Sequence, residues 1–357
     1  MPPRLFVVVV VLRLAVSVYV AGVVPVSYGA ASRDFSALER TTITKTPQRN
    51  EMILELPAVE LPGGTVVDQA ASVGDFPVDG YIYALHAEII DGQGRRLSNE
   101  FLHHMNVMDP TERELFLPIS RRIMASGRET GEIRFPKLLF GTRVRARERI
   151  LANAMIHNPS THDFHGVRVR LVLSYVPERR PWPLFSVVPW QLDVAFPVGD
   201  KSFDLPPGRS ERSYEGSPAV PGTIIVIGGH VHDYGRTIEF WDATTGELLW
   251  HGEPAPTRPG EPNAVPMGKM YRLTRLGLRV TPQHRYRVRV VYDNSTGHTI
   301  PNGGMGVIGG LFLPDRKAKW PATDTSDSLY QKDLRHFLGP VDKVAVTMPL
   351  SHMHMAH

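Results

Sequence analysis

The sequence predicts an all-β fold built from short antiparallel strands, and two observations carry that reading. First, apolar and charged residues alternate with period two over long stretches. Val167, Val169, Leu171 and Leu173 alternate with Arg168 and Arg170, and Tyr286, Val288, Val290 and Tyr292 alternate with Arg287 and Arg289. One apolar face and one charged face mark a strand that packs on a core with its other side in water. Second, the 357 residues include 31 Gly and 31 Pro. So many turn formers cut the strands short, as in β-sandwiches and jelly rolls.

Taken in order, the chain opens with an apolar run from Leu5 to Val26 whose only charge is Arg13, followed by Gly29-Ala30-Ala31 before Ser32. This reads as a secretory signal peptide over residues 1–31, which places the mature chain outside the cytoplasm, secreted or periplasmic. A retained membrane anchor is the alternative; Arg13 divides the run into pieces too short to span comfortably. No second run of spanning length follows. Tyr81 to Ile90 reads as a strand closed by the turn Asp91-Gly92-Gln93-Gly94. Pro177 to Pro221 is rich in Pro, Gly, Ser and Arg and holds one strand-like segment, Leu192 to Val198; it reads as a linker leading into a second domain. Glu239-Phe240-Trp241 and Leu248-Leu249-Trp250 flank Asp242 to Glu247 as a hairpin. One short helix is expected near the end. Ser326 or Asp327 can cap it, Leu329, Tyr330, Leu334, Phe337 and Leu338 are its apolar residues, and Gly339-Pro340 stops it. The expected organisation is a signal over 1–31, β-sandwiches over 50–180 and 186–316, and a tail over 317–357.

Composition narrows the function classes. Hydrophobic residues make up 42% of the chain, enough for a packed core, and the formal charge is only +4. Arg4 and Arg13 lie in the leader, so the remainder is close to neutral. No basic block carries interleaved aromatics, which argues against nucleic acid as a partner. The chain has no cysteine. Thiolate zinc sites and cysteine-ligated clusters are thereby excluded, and core packing must replace the disulfides usual in exported proteins.

The chemistry-bearing residues are histidines and one methionine in a set order: His103-His104, His157, His230-Val231-His232 and Met305. Imidazole with thioether suits copper better than magnesium or calcium, and thioether favours Cu(I). His230 and His232 follow the β-branched run Thr223 to Ile227; in a strand, positions i and i+2 share a face, so both rings can reach one ion. Two polar residues on a solvated face is the alternative. His103 and His104 are adjacent, and adjacent strand residues normally face opposite ways. They reach one ion only at a bulge or strand end; otherwise one is core and the other surface. His157, before Asn158-Pro159, and Met305, in Gly303-Gly304-Met305-Gly306, would singly read as a capped strand end and as core filler. His86, His162, His165, His251, His284, His298 and His336 read as structural or surface. The tail Ser351-His352-Met353-His354-Met355-Ala356-His357 reads either as a copper chelator or as a disordered end.

Taken together, four segments in order resemble the copper type II, ascorbate-dependent monooxygenases, the group of peptidylglycine α-hydroxylating monooxygenase and dopamine β-monooxygenase. The resemblance covers roughly Ile53 to Asp315. His103-His104-Met105 resembles the family's His-His-Met motif. Ile156-His157-Asn158-Pro159, running into Gly166-Val167-Arg168-Val169, resembles its third-histidine segment. His230-Val231-His232 resembles its His-x-His, and Met305-Gly306-Val307 through Phe312-Leu313-Pro314 resembles its methionine strand. The resemblance implies two tandem jelly-roll domains, each holding one copper across a solvent-filled cleft. By the same resemblance His103, His104 and His157 hold the electron-delivering copper. His230, His232 and Met305 hold the copper that binds dioxygen and hydroxylates a C–H bond.

The departures lie in the substrate pocket. Gly306 stands where a cysteine commonly follows the methionine, and Gly303 and Gly304 replace acidic or polar residues. Gly228 occupies the place of a substrate-anchoring basic residue, and Gly309 and Val307 those of a tyrosine and an asparagine. The expectation is therefore an exported monomer with two copper ions that hydroxylates an unidentified small or peptidic substrate with O2 and a reductant. The alternative is a non-catalytic copper carrier or buffer.

Overall fold

The computed structural model describes residues 35–46, 49–128, 130–179, 183–195, 201–255, 263–270, 276–339 and 346–350. The chain divides into two compact units, Met1–Ala31 and Ser32–His357. The first, with the expected signal peptide, lies outside the described residues, as does the His/Met tail from Ser351 onward.

Among its described residues Ser32–His357 is all-β with one short α-helix, and its strands form two jelly rolls built to one plan. The first uses β1 (Glu51–Glu55), β2 (Thr65–Asp75), β3 (Gly80–Ile90), β4 (Leu102–Arg113), β5 (Ser120–Gly127), β6 (Phe140–Val144), β7 (Arg149–His157) and β8 (Phe164–Pro177). One sheet runs β1-β8-β3-β6 and the other β2-β7-β4-β5. The second uses β9 (Phe185–Asp193), β10 (Gly208–Gly216), β11 (Gly222–Val231), β12 (Gly235–Asp242), β13 (Glu247–Gly252), β14 (Asn263–Lys269), β15 (Tyr286–Asn294) and β16 (Gly306–Pro314). Its sheets run β9-β16-β11-β14 and β10-β15-β12-β13. Adding eight to each number of the first pattern gives the second, and eight strands in two Greek keys is the jelly-roll arrangement. The expected turn after β3 and the expected hairpin, β12 with β13, are both formed.

The two halves also repeat a turn. After β7, Asn158 Nδ2 donates to the carbonyls of Leu61 and His162, and its Oδ1 accepts from Ser160. At the end of β15, Asn294 Nδ2 donates to the carbonyls of Leu205, Pro206 and His298, and its Oδ1 accepts from Thr296. Each buried Asn thus satisfies backbone groups that the ending ladder leaves open.

Each sandwich has its own core. Leu54, Phe76, Ile89, Val107, Ile150 and Leu171 pack in the first, and Trp190, Ile227, Phe240, Tyr286, Val290 and Phe312 in the second. The halves are nevertheless fastened. β6 pairs with β9 in parallel, which joins the two inner sheets into one of 13 strands. Between β4 and β5 the chain crosses over: Leu115 and Phe116 are buried in the second core, with the Phe116 ring 5.5 Å from Trp190 and 6.2 Å from Tyr286.

The stretch read as a linker, Pro177 to Pro221, therefore contains strands β9 and β10; of the strand-like segment Leu192 to Val198 only Leu192 and Asp193 belong to a strand, the end of β9, and residues 196–198 lie outside the described residues. β10 escaped detection because both its faces are largely in water. Its register on β15 is held by ion pairs, Glu211 with Arg289 and Glu215 with Arg285 and Arg287, and not by an apolar period.

The expected helix is α1 (Ser328–Leu338), capped by Asp327, whose side chain accepts from the amides of Leu329 and Tyr330. It returns to the first sandwich. Tyr330, Leu334 and Phe337 pack on Val73, Met108 and Leu151, and Asp333 pairs with Arg122 through bonds of 2.5 and 2.6 Å. Val346–Pro349 then adds to the edge of β2. Among the described residues no helix is long and apolar enough to cross a membrane.

Candidate metal centre

His103, His104, His157, His230, His232 and Met305 all border one cavity of about 1410 Å³ within Ser32–His357. The first three come from the first sandwich, the last three from the second.

His103 and His104 share a side because the ladder slips between them. On β7 Met155 faces His104 and the next residue, Ile156, faces Leu102, so His103 is the extra residue of a β-bulge. The bulge resets the alternation that would otherwise part the two rings, and their Nδ1 atoms lie 3.1 Å apart. Two imidazole nitrogens bound at about 2.0–2.1 Å to one ion, at bond angles near 90–110°, stand about 2.9–3.4 Å apart. The observed spacing fits that, and without an ion it fits one ring donating to the other.

His157 ends β7 and is 8% exposed. Its Nδ1 is buried and has no hydrogen-bond partner among the described residues, a costly state for a nitrogen lone pair or N–H unless something binds it. Burial, reinforced by the charge of Arg128, pulls its pKa down to about 4. His157 is therefore a neutral imidazole at pH 7, the form that ligates metal. Met155, two residues earlier and so on the same strand face, borders the cavity as well.

In the second sandwich, His230 and His232 close the β11 end with ring centroids 5.4 Å apart. Burial lowers the pKa of His230 to about 4. β11 pairs with β16 through His230 with Val307 and Val231 with Gly306, so one step on, His232 stands opposite Met305. Neither residue belongs to a strand there. The hydroxyl of Tyr292 on β15 fills the gap: it accepts from the His232 amide at 3.0 Å and the Met305 amide at 2.9 Å, and donates to the Met305 carbonyl. Burial pushes the Tyr292 pKa up to about 12, so the proton it donates stays in place at neutral pH.

The structure thus brings together two histidine pairs and places His157 and Met305 on the same cavity. Among the described residues it gathers no three His, Cys, Asp or Glu side chains closely enough to hold a metal ion. Of the histidines read as structural or surface, His86, His165, His251 and His284 sit beside carboxylates, while His336 on α1 borders the cavity. Sequence reasoning missed Tyr292, which reads there only as one more apolar strand position.

No family model matches the chain, and no curated protein matches it. Among solved structures it is similar to PNGase F, a glycosylasparaginase from Flavobacterium meningosepticum, at 10% identity and a TM-score of 0.38, over 74% of this chain and 96% of that one. It is similar to a peptide-N(4)-(N-acetyl-β-D-glucosaminyl) asparagine amidase at 11% identity and a TM-score of 0.39, over 77% and 100% of the two chains. An infectious bursal disease virus VP2 subviral particle follows at 10% identity and a TM-score of 0.23, over 80% and 74%. Likeness this loose carries no argument about what the chain does.

Proposed function

We propose that this protein is an exported copper-dependent monooxygenase-like enzyme that hydroxylates a C–H bond of a small or peptidic substrate. The observation that carries the reading is that the five assigned histidines and Met305 border one cavity, two of the imidazoles with nitrogens 3.1 Å apart and a third with a buried nitrogen that nothing among the described residues satisfies. Nitrogen donors with one sulfur and no thiolate are the chemistry of copper that cycles between two oxidation states.

In this reading His103, His104 and His157 hold one ion and His230, His232 and Met305 the other. Bound copper would supply one-electron redox and dioxygen activation: one oxygen atom enters the C–H bond, the other leaves as water, and an external reductant provides two electrons and the accompanying protons. The chain's own part is positional. The bulge at His103 turns two rings to one side, burial keeps His157 and His230 deprotonated, and the cavity between the sandwiches admits the substrate. The assignment requires the His157 and Met305 side chains, which border the same cavity, to join the paired imidazoles. The surroundings proposed are extracytoplasmic, with a reductant and a small or peptidic substrate as partners and no nucleic acid.

A second reading, a non-catalytic copper carrier or buffer, is favoured by the cavity wall beside His230. Gly228, Gly309 and Val307 line it and offer no polar side chain to orient a substrate. One experiment tests both. Copper in modest excess should load two ions per chain, and Met305→Leu should abolish sulfur scattering from the Cu(I) X-ray absorption spectrum. Reductant-dependent O2 consumption coupled to a hydroxylated product establishes the enzyme. Two ions without product formation leave the carrier, and one ion or fewer refutes the two-site arrangement.

A further inference from the structure

The residues assigned to the second centre share a weakness. His232 lies just past the end of β11, and Met305 lies in the one-residue gap between the strand Ile300–Gly304 and β16. Their backbones are outside the ladders that hold their neighbours, so sheet pairing alone does not fix where their side chains start.

Tyr292 replaces the missing ladder. A phenolic hydroxyl has one proton to give and two lone pairs. Here the proton goes to the Met305 carbonyl, and the lone pairs take the amides of Met305, at 2.9 Å, and His232, at 3.0 Å. All three bonds fall on the backbones of two assigned ligands. The ring itself is fully buried in the second core, which anchors the hydroxyl to the rigid sheet β10-β15-β12-β13. Tyr286, on the same strand and equally buried, differs in this respect: among the described residues its hydroxyl accepts from the Thr281 amide, at 3.0 Å, and Tyr286 does not border the cavity.

We infer that Tyr292 is a positioning residue of the second metal centre, a clamp that sets the distance between His232 and Met305 before any ion arrives. The inference rests on the copper reading given above. Removing the hydroxyl should loosen the pair and weaken Cu(I) binding at this centre while leaving the other centre untouched.

The test uses the full chain and Cu(I) alone, titrated against a chromophoric Cu(I) chelator, in the parent, Tyr292→Phe and Tyr286→Phe. For Tyr292→Phe the expected result is at least a tenfold loss of affinity for one of two Cu(I) equivalents, with reduced sulfur scattering. The other equivalent should be unchanged, and Tyr286→Phe should bind both as the parent does. A merely structural tyrosine would make the two variants alike, and equal affinities in Tyr292→Phe and Tyr286→Phe overturn the inference. A parent that takes up no Cu(I) overturns the copper reading and this inference with it; a parent that binds two ions, unaffected by Tyr292→Phe, overturns the inference alone. Should Tyr292→Phe fail to fold, amide hydrogen exchange in the metal-free parent decides. Slow exchange at Met305 and His232, at least a hundredfold below the free-peptide rate, supports the clamp, and unprotected amides there refute it.

Discussion

Acid should destabilise the metal-free protein through the histidines of the cavity. Burial holds both His157 and His230 at a pKa of about 4 in the folded chain, whereas an unfolded histidine titrates near 6.5. Below about pH 6.5 the unfolded chain therefore binds protons that the folded chain refuses. The stability these neutral rings permit is intact above that pH and is lost as the pH falls toward 4. At pH 5 the differential amounts to about 2 kcal/mol for each ring, about 4 kcal/mol for both, against a total stability on the order of 5–15 kcal/mol. Denaturant unfolding at pH 7.5 and pH 5 measures it, comparing the parent with the double variant His157→Gln, His230→Gln. Carboxylates and other histidines titrate equally in both chains, so the difference of differences isolates these two rings. The parent should lose about 4 kcal/mol more than the variant between the two pH values. A difference below about 1 kcal/mol would refute the claim that both rings are held neutral by burial.

Three further outcomes follow from the packing. Phe116→Ala should cost about 3–5 kcal/mol, because the ring is 3% exposed among Trp190, Phe240 and Tyr286 and its removal leaves a hole in the second core; thermal unfolding that separates the two halves should show the second melting earlier. Burial, and after it the charge of Asp109, raises Glu148 to about 7. Ionising this carboxylate opposes folding increasingly as pH rises from about 4.5 to 7, so Glu148→Gln should stabilise the protein by about 2–3 kcal/mol at pH 8 and by little at pH 4.5, as read from unfolding midpoints. Asp333→Ala leaves the buried Arg122 guanidinium without its carboxylate and should cost about 3–5 kcal/mol, with α1 becoming sensitive to limited proteolysis; an unchanged digestion pattern would show that α1 is held by its apolar face alone.

Much of this molecule is legible in the residues themselves because the physics is local. Alternation over 167–173 and 286–292 requires a strand with one wet face, and β8 and β15 are there. Asp327 ahead of an apolar run requires a helix start, since its side chain satisfies amides that no earlier turn can reach, and it caps α1. His230 and His232, two apart beyond a β-branched run, do stand close, with ring centroids 5.4 Å apart, although His232 lies just past the end of β11. β10 shows the limit of local reading: ion pairs across strands stabilise it, and such pairs leave no period in one strand's sequence.

Tertiary structure alone decided the rest, because it depends on which strand meets which. Adjacency in sequence argues for His103 and His104 pointing apart; the slip against Met155 and Ile156 turns them together. Leu115 and Phe116 lie in sequence between β4 and β5 of the first half, yet they pack in the core of the second. Tyr292 is indistinguishable from its alternating neighbours until the fold brings His232 and Met305, 60 and 13 residues away in the chain, within reach of one hydroxyl. Propensity and period fix what a segment is; contacts between segments far apart in sequence fix what its side chains face.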